Sequence, residues 1–131
     1  MTAIRPKLGG ISPYFIVSNV KATIAFYGEK LGFETRFLVP EEDPFFAIIG
    51  RDAAQIFIKS DKDVGPLPNC QRHPWMAWDA FVYVEEPDAL ATEFAGHGAA
   101  FTKPLEDTHD GLRGFEISDP DGYVLFFGRP R

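Results

Sequence analysis

SNVKATIAFYGEKLGF, residues 18–33, contains one helix with both ends marked. Ser18 and Asn19 are residue types that accept hydrogen bonds from the free N–H groups of a first helical turn. Val20, Ile24, Tyr27 and Leu31 then recur at helical spacing and form one apolar stripe. Gly32 follows, the residue that most easily takes the left-handed conformation closing a helix. The reading on either side depends on this helix.

Before it, Ile11–Val17 is apolar and rich in β-formers, which predicts a strand. After it come three strand-like runs, Phe33–Val39, Phe45–Gly50 and Gln55–Lys59, separated by Pro40, Pro44 and Asp52. That order is βαβββ. Residues 61–75 have no periodic apolar pattern and contain Asp61, Asp63, Gly65, Pro66, Pro68 and Asn69, so they read as a linker. The order then repeats. Trp78–Val84 is a predicted strand, and Pro87 sits where a helix tolerates a missing N–H. Leu90, Phe94 and His97 follow at helical spacing, with Gly98 as cap. Ala100–Leu105, Leu112–Ser118 and Tyr123–Gly128 are three further strands, the last two joined by a tight turn at Asp119-Pro120-Asp121-Gly122.

Val17 and Val84 stand 67 positions apart, Gly32 and Gly98 stand 66 apart, and Phe57 and Phe126 stand 69 apart. Near-constant offsets imply a duplicated unit. The expectation is a single α+β domain, residues 1–131, made of two βαβββ modules forming a curved mixed sheet around a cleft. Module 1 covers about 11–60, the linker about 61–75, and module 2 about 76–128.

Strand residues alternate between faces. Ile56 and Ile58, or Ala80, Val82 and Val84, suit packing against a helix. The opposite faces are mixed, and together they hold Ser12, Tyr14, Gln55, Phe57, Asp79, Phe81, Glu116 and Phe126. These eight are the candidate ligand-binding residues of an aromatic cleft. A plain solvent face is the alternative, against which Phe57, Phe81 and Phe126 argue, because large rings gathered on one surface mark a binding site or an interface.

Bulk properties narrow the function. The 131 residues carry a formal net charge of −6, which does not suit a phosphate backbone and predicts no nucleic-acid partner. Aromatic residues make up 15%, enough to line a cavity as well as fill a core. One cysteine, Cys70, cannot form an internal disulfide. MTAIRPKLGG lacks the apolar core of a signal peptide, and no apolar run reaches the roughly 20 residues of a membrane helix. The expectation is a cytoplasmic protein with no membrane partner. His73, His97 and His109 are not at metal-ligand spacing, and there is no HExxH, GxGxxG, Walker A or GxSxG motif. Asp79 and Glu116 read either as solvated carboxylates, as contacts to a cationic ligand, or as an acid–base pair. Trp75 and Trp78 flank the fifth strand and suit stacking, a dimer contact or core packing.

The repeated βαβββ order, AFYGEKLGF at Ala25–Phe33 and DPDGYVLFFG at Asp119–Gly128 resemble the vicinal oxygen chelate superfamily. That superfamily includes glyoxalases, bleomycin-resistance proteins and extradiol dioxygenases. The resemblance covers residues 11–128. It implies metal-ligand positions at Ser12, Phe57, Asp79 and Phe126. Two phenylalanines have no donor atoms, whereas a metal site takes about three or four protein ligands. The resemblance therefore points toward the metal-free, bleomycin-resistance-like members. These are homodimers that hold a small aromatic or cationic compound and sequester it in the manner of drug resistance. No metal and no cofactor are expected. The alternatives are a metal-dependent lyase, isomerase or dioxygenase with a relocated site, and an accessory dimer with no tight ligand. Whether the protein is an enzyme is left open by the sequence.

Overall fold

The computed structural model describes residues 4–75 and 78–131. Positions 76 and 77, where the sequence reading begins the second module, and the first three residues lie outside the described residues.

The chain folds as α+β. The first unit is β1 (Tyr14–Ile16), α1 (Val20–Leu31), β2 (Glu34–Val39), β3 (Phe46–Arg51) and β4 (Ala54–Lys59). A four-residue helix, α2 (Asn69–Arg72), lies within the stretch read as a linker. The second unit is β5 (Ala80–Tyr83), α3 (Pro87–Gly96), β6 (Phe101–Asp107), β7 (Leu112–Ser118) and β8 (Val124–Pro130). Each unit forms one four-stranded mixed sheet, ordered β1-β4-β3-β2 and β5-β8-β7-β6. The first strand of each unit pairs parallel with the last, Tyr14 opposite Phe57 in one sheet and Phe81 opposite Phe126 in the other. The repeat inferred from offsets is therefore present in the pairing register itself.

α1 forms as its ends dictate. The Asn19 side chain accepts from the Ala22 N–H at 3.0 Å, and Gly32 takes φ 72° at the closing turn. Val20, Thr23, Tyr27 and Leu31 are its buried face. α3 begins at Pro87 and buries Pro87, Ala91 and Phe94. His97 is not part of its packing stripe; it is the exposed C-cap residue, followed by Gly98 at φ 79°. β1 is shorter than expected. It starts at Tyr14, after Pro13, and Ile11 ahead of it is 96% exposed. Pro13 has no N–H to give a ladder.

The helix-facing sides of both sheets meet in one core. Phe15, Ile49, Ile56 and Ile58 come from the first sheet, and Phe115, Ile117, Leu125 and Phe127 from the second. Phe15 stacks flat on Tyr123 across the junction, with centroids 4.3 Å apart. Tyr27 meets Asp119, and Glu93 of α3 meets Arg51 at the end of β3. Because alternate residues on a strand point to opposite sides, the mixed faces of both sheets turn away from this core. No described helix is long and apolar enough to cross a membrane.

Candidate functional site

The outer face of the second sheet is built on two glycines. Gly114 in β7 lies opposite Gly128 in β8. A Cβ at Gly114 would stand 2.7 Å from the Phe126 ring, and one at Gly128 would stand 2.6 Å from it. The ring occupies the space over the glycine pair that a side chain at either position would need. Phe126 is only 2% exposed. Trp78 covers it at 4.5 Å between centroids and 32°, and Phe81 flanks it at 5.1 Å and 31°.

Across the sheet, Lys103, Glu116, Phe126 and Phe81 form one row of paired residues. Glu116 is 4% exposed. Its Oε2 accepts from the Trp78 indole N–H at 2.9 Å, and Lys103 Nζ lies 3.8 Å from the same oxygen. A cavity of about 450 Å³ opens beside this assembly, lined by Trp75, Trp78, Lys103, His109, Glu116 and Phe126 among others. Glu106, Asp107 and Asp110 add acidic character to its rim.

The first sheet has the corresponding row, Phe37, Ile48, Phe57 and Tyr14, and it is wholly apolar apart from the phenol. Phe46 touches three of its rings, 6.0 Å from Tyr14, 6.1 Å from Phe37 and 5.9 Å from Phe57. Tyr14 and Phe37 are about half exposed. Arg36 lies against Gly50 at one end of this face and donates to Gln55 Oε1 at 3.3 Å.

The structure thus divides the eight sequence-predicted residues. Glu116 and Phe126 share the cavity on the second sheet. Gln55 and Phe81 line a groove of about 260 Å³ between the units, beside Ile11 and Pro13. Tyr14 and Asp79 line another, of about 410 Å³, next to the linker residues Leu67 and Arg72. Phe57 lies in the first sheet's ring cluster, and Ser12 is exposed ahead of β1. Among the described residues, no ring of the first cluster touches a ring of the second.

Asp79 has a plain structural task. One carboxylate oxygen accepts from the Asn69 N–H and the other from the Val124 N–H, each at 2.8 Å. It ties the linker to the start of β8. Trp78, Lys103, His109 and the paired glycines complete the cavity or its floor and are absent from the eight. The alternation Gly114-x-Glu116 opposite Phe126-x-Gly128 was a signal for the glycine floor, but only a known register puts those residues together.

The four positions implied for a metal do not fit one. Phe57 and Phe126 have no donor atoms, and both Asp79 oxygens are engaged by backbone amides. Among the described residues, no three His, Cys, Asp or Glu side chains gather as ligands would.

Residues 10–127 match the family model described as Glyoxalase/Bleomycin resistance protein/Dioxygenase superfamily. No curated protein sequence matches the chain. Among solved structures, a bleomycin-binding protein from bleomycin-producing Streptomyces verticillus, complexed with copper(II)-bleomycin, is 27% identical with TM-score 0.68, covering 98% of this chain and all of that one. TioX from Micromonospora sp. ML1 is 17% identical with TM-score 0.72, covering 94% of this chain and all of its own. TnmS3, an antibiotic-binding protein from Streptomyces sp. CB03234, is 19% identical with TM-score 0.67, covering 97% of this chain and all of its own. The paired βαβββ architecture and the match over nearly the whole length lead to one assignment: this chain belongs to the glyoxalase/bleomycin resistance protein/dioxygenase superfamily.

Proposed function

We propose that this protein binds a flat aromatic or cationic small molecule by stacking on the second sheet's outer face, and that it holds the compound without metal chemistry, as a sequestering protein does. The observation that carries this reading is the packing of Trp78 over Phe126 beside a cavity of about 450 Å³. Phe126 is buried beneath, so the indole is the plate offered to a ligand. Aromatic faces attract flat rings and cations. The acidic rim of Glu106, Asp107 and Asp110 outweighs Lys103 and His109 and favours a positive group. The bleomycin-binding and antibiotic-binding proteins among the structural neighbours support a small-molecule ligand.

A homodimer belongs to this reading. Both aromatic faces are open in one chain, and a second copy closes them. Sedimentation velocity tests the dimer; a monomer at micromolar concentration refutes that part.

Thermal shift with bleomycin and with ethidium tests the binding. A ligand that prefers the native state raises the melting temperature, by an amount set by its concentration relative to Kd. Trp78→Ala removes the plate and the shift. Absence of any shift with planar cations at millimolar concentration refutes the reading.

A further inference from the structure

We infer that Glu116 is a positioning residue: its buried carboxylate holds the Trp78 indole against Phe126, so that a ligand meets a fixed plate and not the charge. This rests on the stacking reading above and says how that site is made ready. Glu116 sits in the middle of a central strand pair, opposite Phe126, and its side chain is 6% exposed. The oxygen facing Trp78 accepts from the indole N–H at 2.9 Å, and Lys103 Nζ stands 3.8 Å from it as an ion-pair partner.

An indole has one hydrogen-bonding group, a donor. Half-buried, that N–H needs an acceptor, and a buried carboxylate needs donors. Each satisfies the other. The ring behind cannot yield, because Phe126 fills the space over Gly114 and Gly128. Trp78 is therefore fixed by a hydrogen bond on its edge and a ring on its back. A side chain already ordered loses less freedom when a ligand binds, a gain worth about three- to tenfold in affinity for one residue.

The test separates positioning from charge contact. Trp75→Phe leaves Trp78 as the single tryptophan, and Glu116→Gln and Glu116→Ala are added to that background. Gln keeps an acceptor for the indole and loses the charge; Ala loses both. The probes are ethidium, a planar cation, and 9-anthracenemethanol, which is planar and neutral. The expected result is that Glu116→Gln keeps the near-ultraviolet circular dichroism of Trp78 and both affinities. Glu116→Ala loses the signal and weakens both probes about three- to tenfold. If both variants weaken ethidium alone with the Trp78 signal unchanged, Glu116 is a charge contact and the inference is overturned. It is equally overturned if Glu116→Ala changes neither signal nor affinity. Should Glu116→Ala unfold, Glu116→Leu fills the same volume without an acceptor and takes its place. If neither probe binds the protein with both tryptophans in place, the stacking reading fails, while the Trp78 signal in the Trp75→Phe background still decides the positioning.

Discussion

The phenol of Tyr27 donates a 2.8 Å hydrogen bond to the carboxylate of Asp119 across the junction of the two βαβββ units. Tyr27 is in the first unit's helix, and Asp119 is in the second unit's β7–β8 turn. Sixty-six positions along, Glu93 in the second helix grips Arg51 at the end of the first unit's β3 at 2.6 and 3.0 Å. The two contacts are pseudo-symmetric counterparts. One became a buried neutral-donor pair and the other a partly exposed ion pair.

Tyr27→Phe deletes the phenol and little else. Tyr27 is fully buried, and its hydroxyl is held neutral because burial and the neighbouring Asp119 push its ionisation well above the usual range. The expected loss is about 1–2 kcal/mol, the cost of a buried hydrogen bond whose acceptor stays behind. Urea unfolding at neutral pH reads it, with the m-value unchanged.

Asp119 makes stability depend on pH with a sign unusual for a carboxylate. Burial pushes its carboxyl from 3.8 up to about 6, only partly opposed by the hydrogen bonds from Tyr27 and from the Tyr123 and Asp121 amides. A folded-state pKa above the unfolded one favours the folded protein while the group is protonated. Its contribution is fully present below about pH 4 and is lost as pH rises through about 6, on the order of 2–3 kcal/mol at most. Comparing Asp119→Asn with the parent from pH 4 to 8 isolates it: the parent's stability relative to the variant should fall across that range. A flat difference would show that Asp119 is not so buried in solution.

Gly114→Ala should be among the costliest single-methyl additions in the molecule. Its Cβ would collide with the Phe127 carbonyl oxygen and stand 2.7 Å from the Phe126 ring. Backbone cannot move aside cheaply in a central strand pair, so a loss of about 2–3 kcal/mol is expected. Near-ultraviolet circular dichroism should change with it, as Phe126 is pushed into Trp78. Gly65→Ala, with nothing near its Cβ, is the control and should be near neutral.

Arg51→Ala removes the Glu93 pair and the 3.0 Å hydrogen bond that Arg51 gives to the Leu31 carbonyl at the end of α1. Both partners are about one-third exposed, so screening keeps the ion pair itself below about 1 kcal/mol. A double-mutant cycle with Glu93→Ala in low and high salt should show a coupling that shrinks with salt. The remainder of the Arg51→Ala effect should persist, because it belongs to the helix end.

The sequence by itself determined the βαβββ order of both units, the helix ends at Asn19 and Gly32, the duplication, and which strand residues share a face. Those are local properties, set by capping chemistry and by the periods of helix and strand. It also determined that Phe57 and Phe126 cannot bind a metal, since that follows from their atoms alone. Tertiary structure decided the rest. It turned the two mixed faces away from a common core, so that the eight residues read as one cleft lie on separate surfaces of a single chain. It gave Asp79 to two backbone amides and Glu116 to an indole N–H. Pairing register and unit packing are non-local, and no periodicity in one strand says which oxygen a distant N–H will reach.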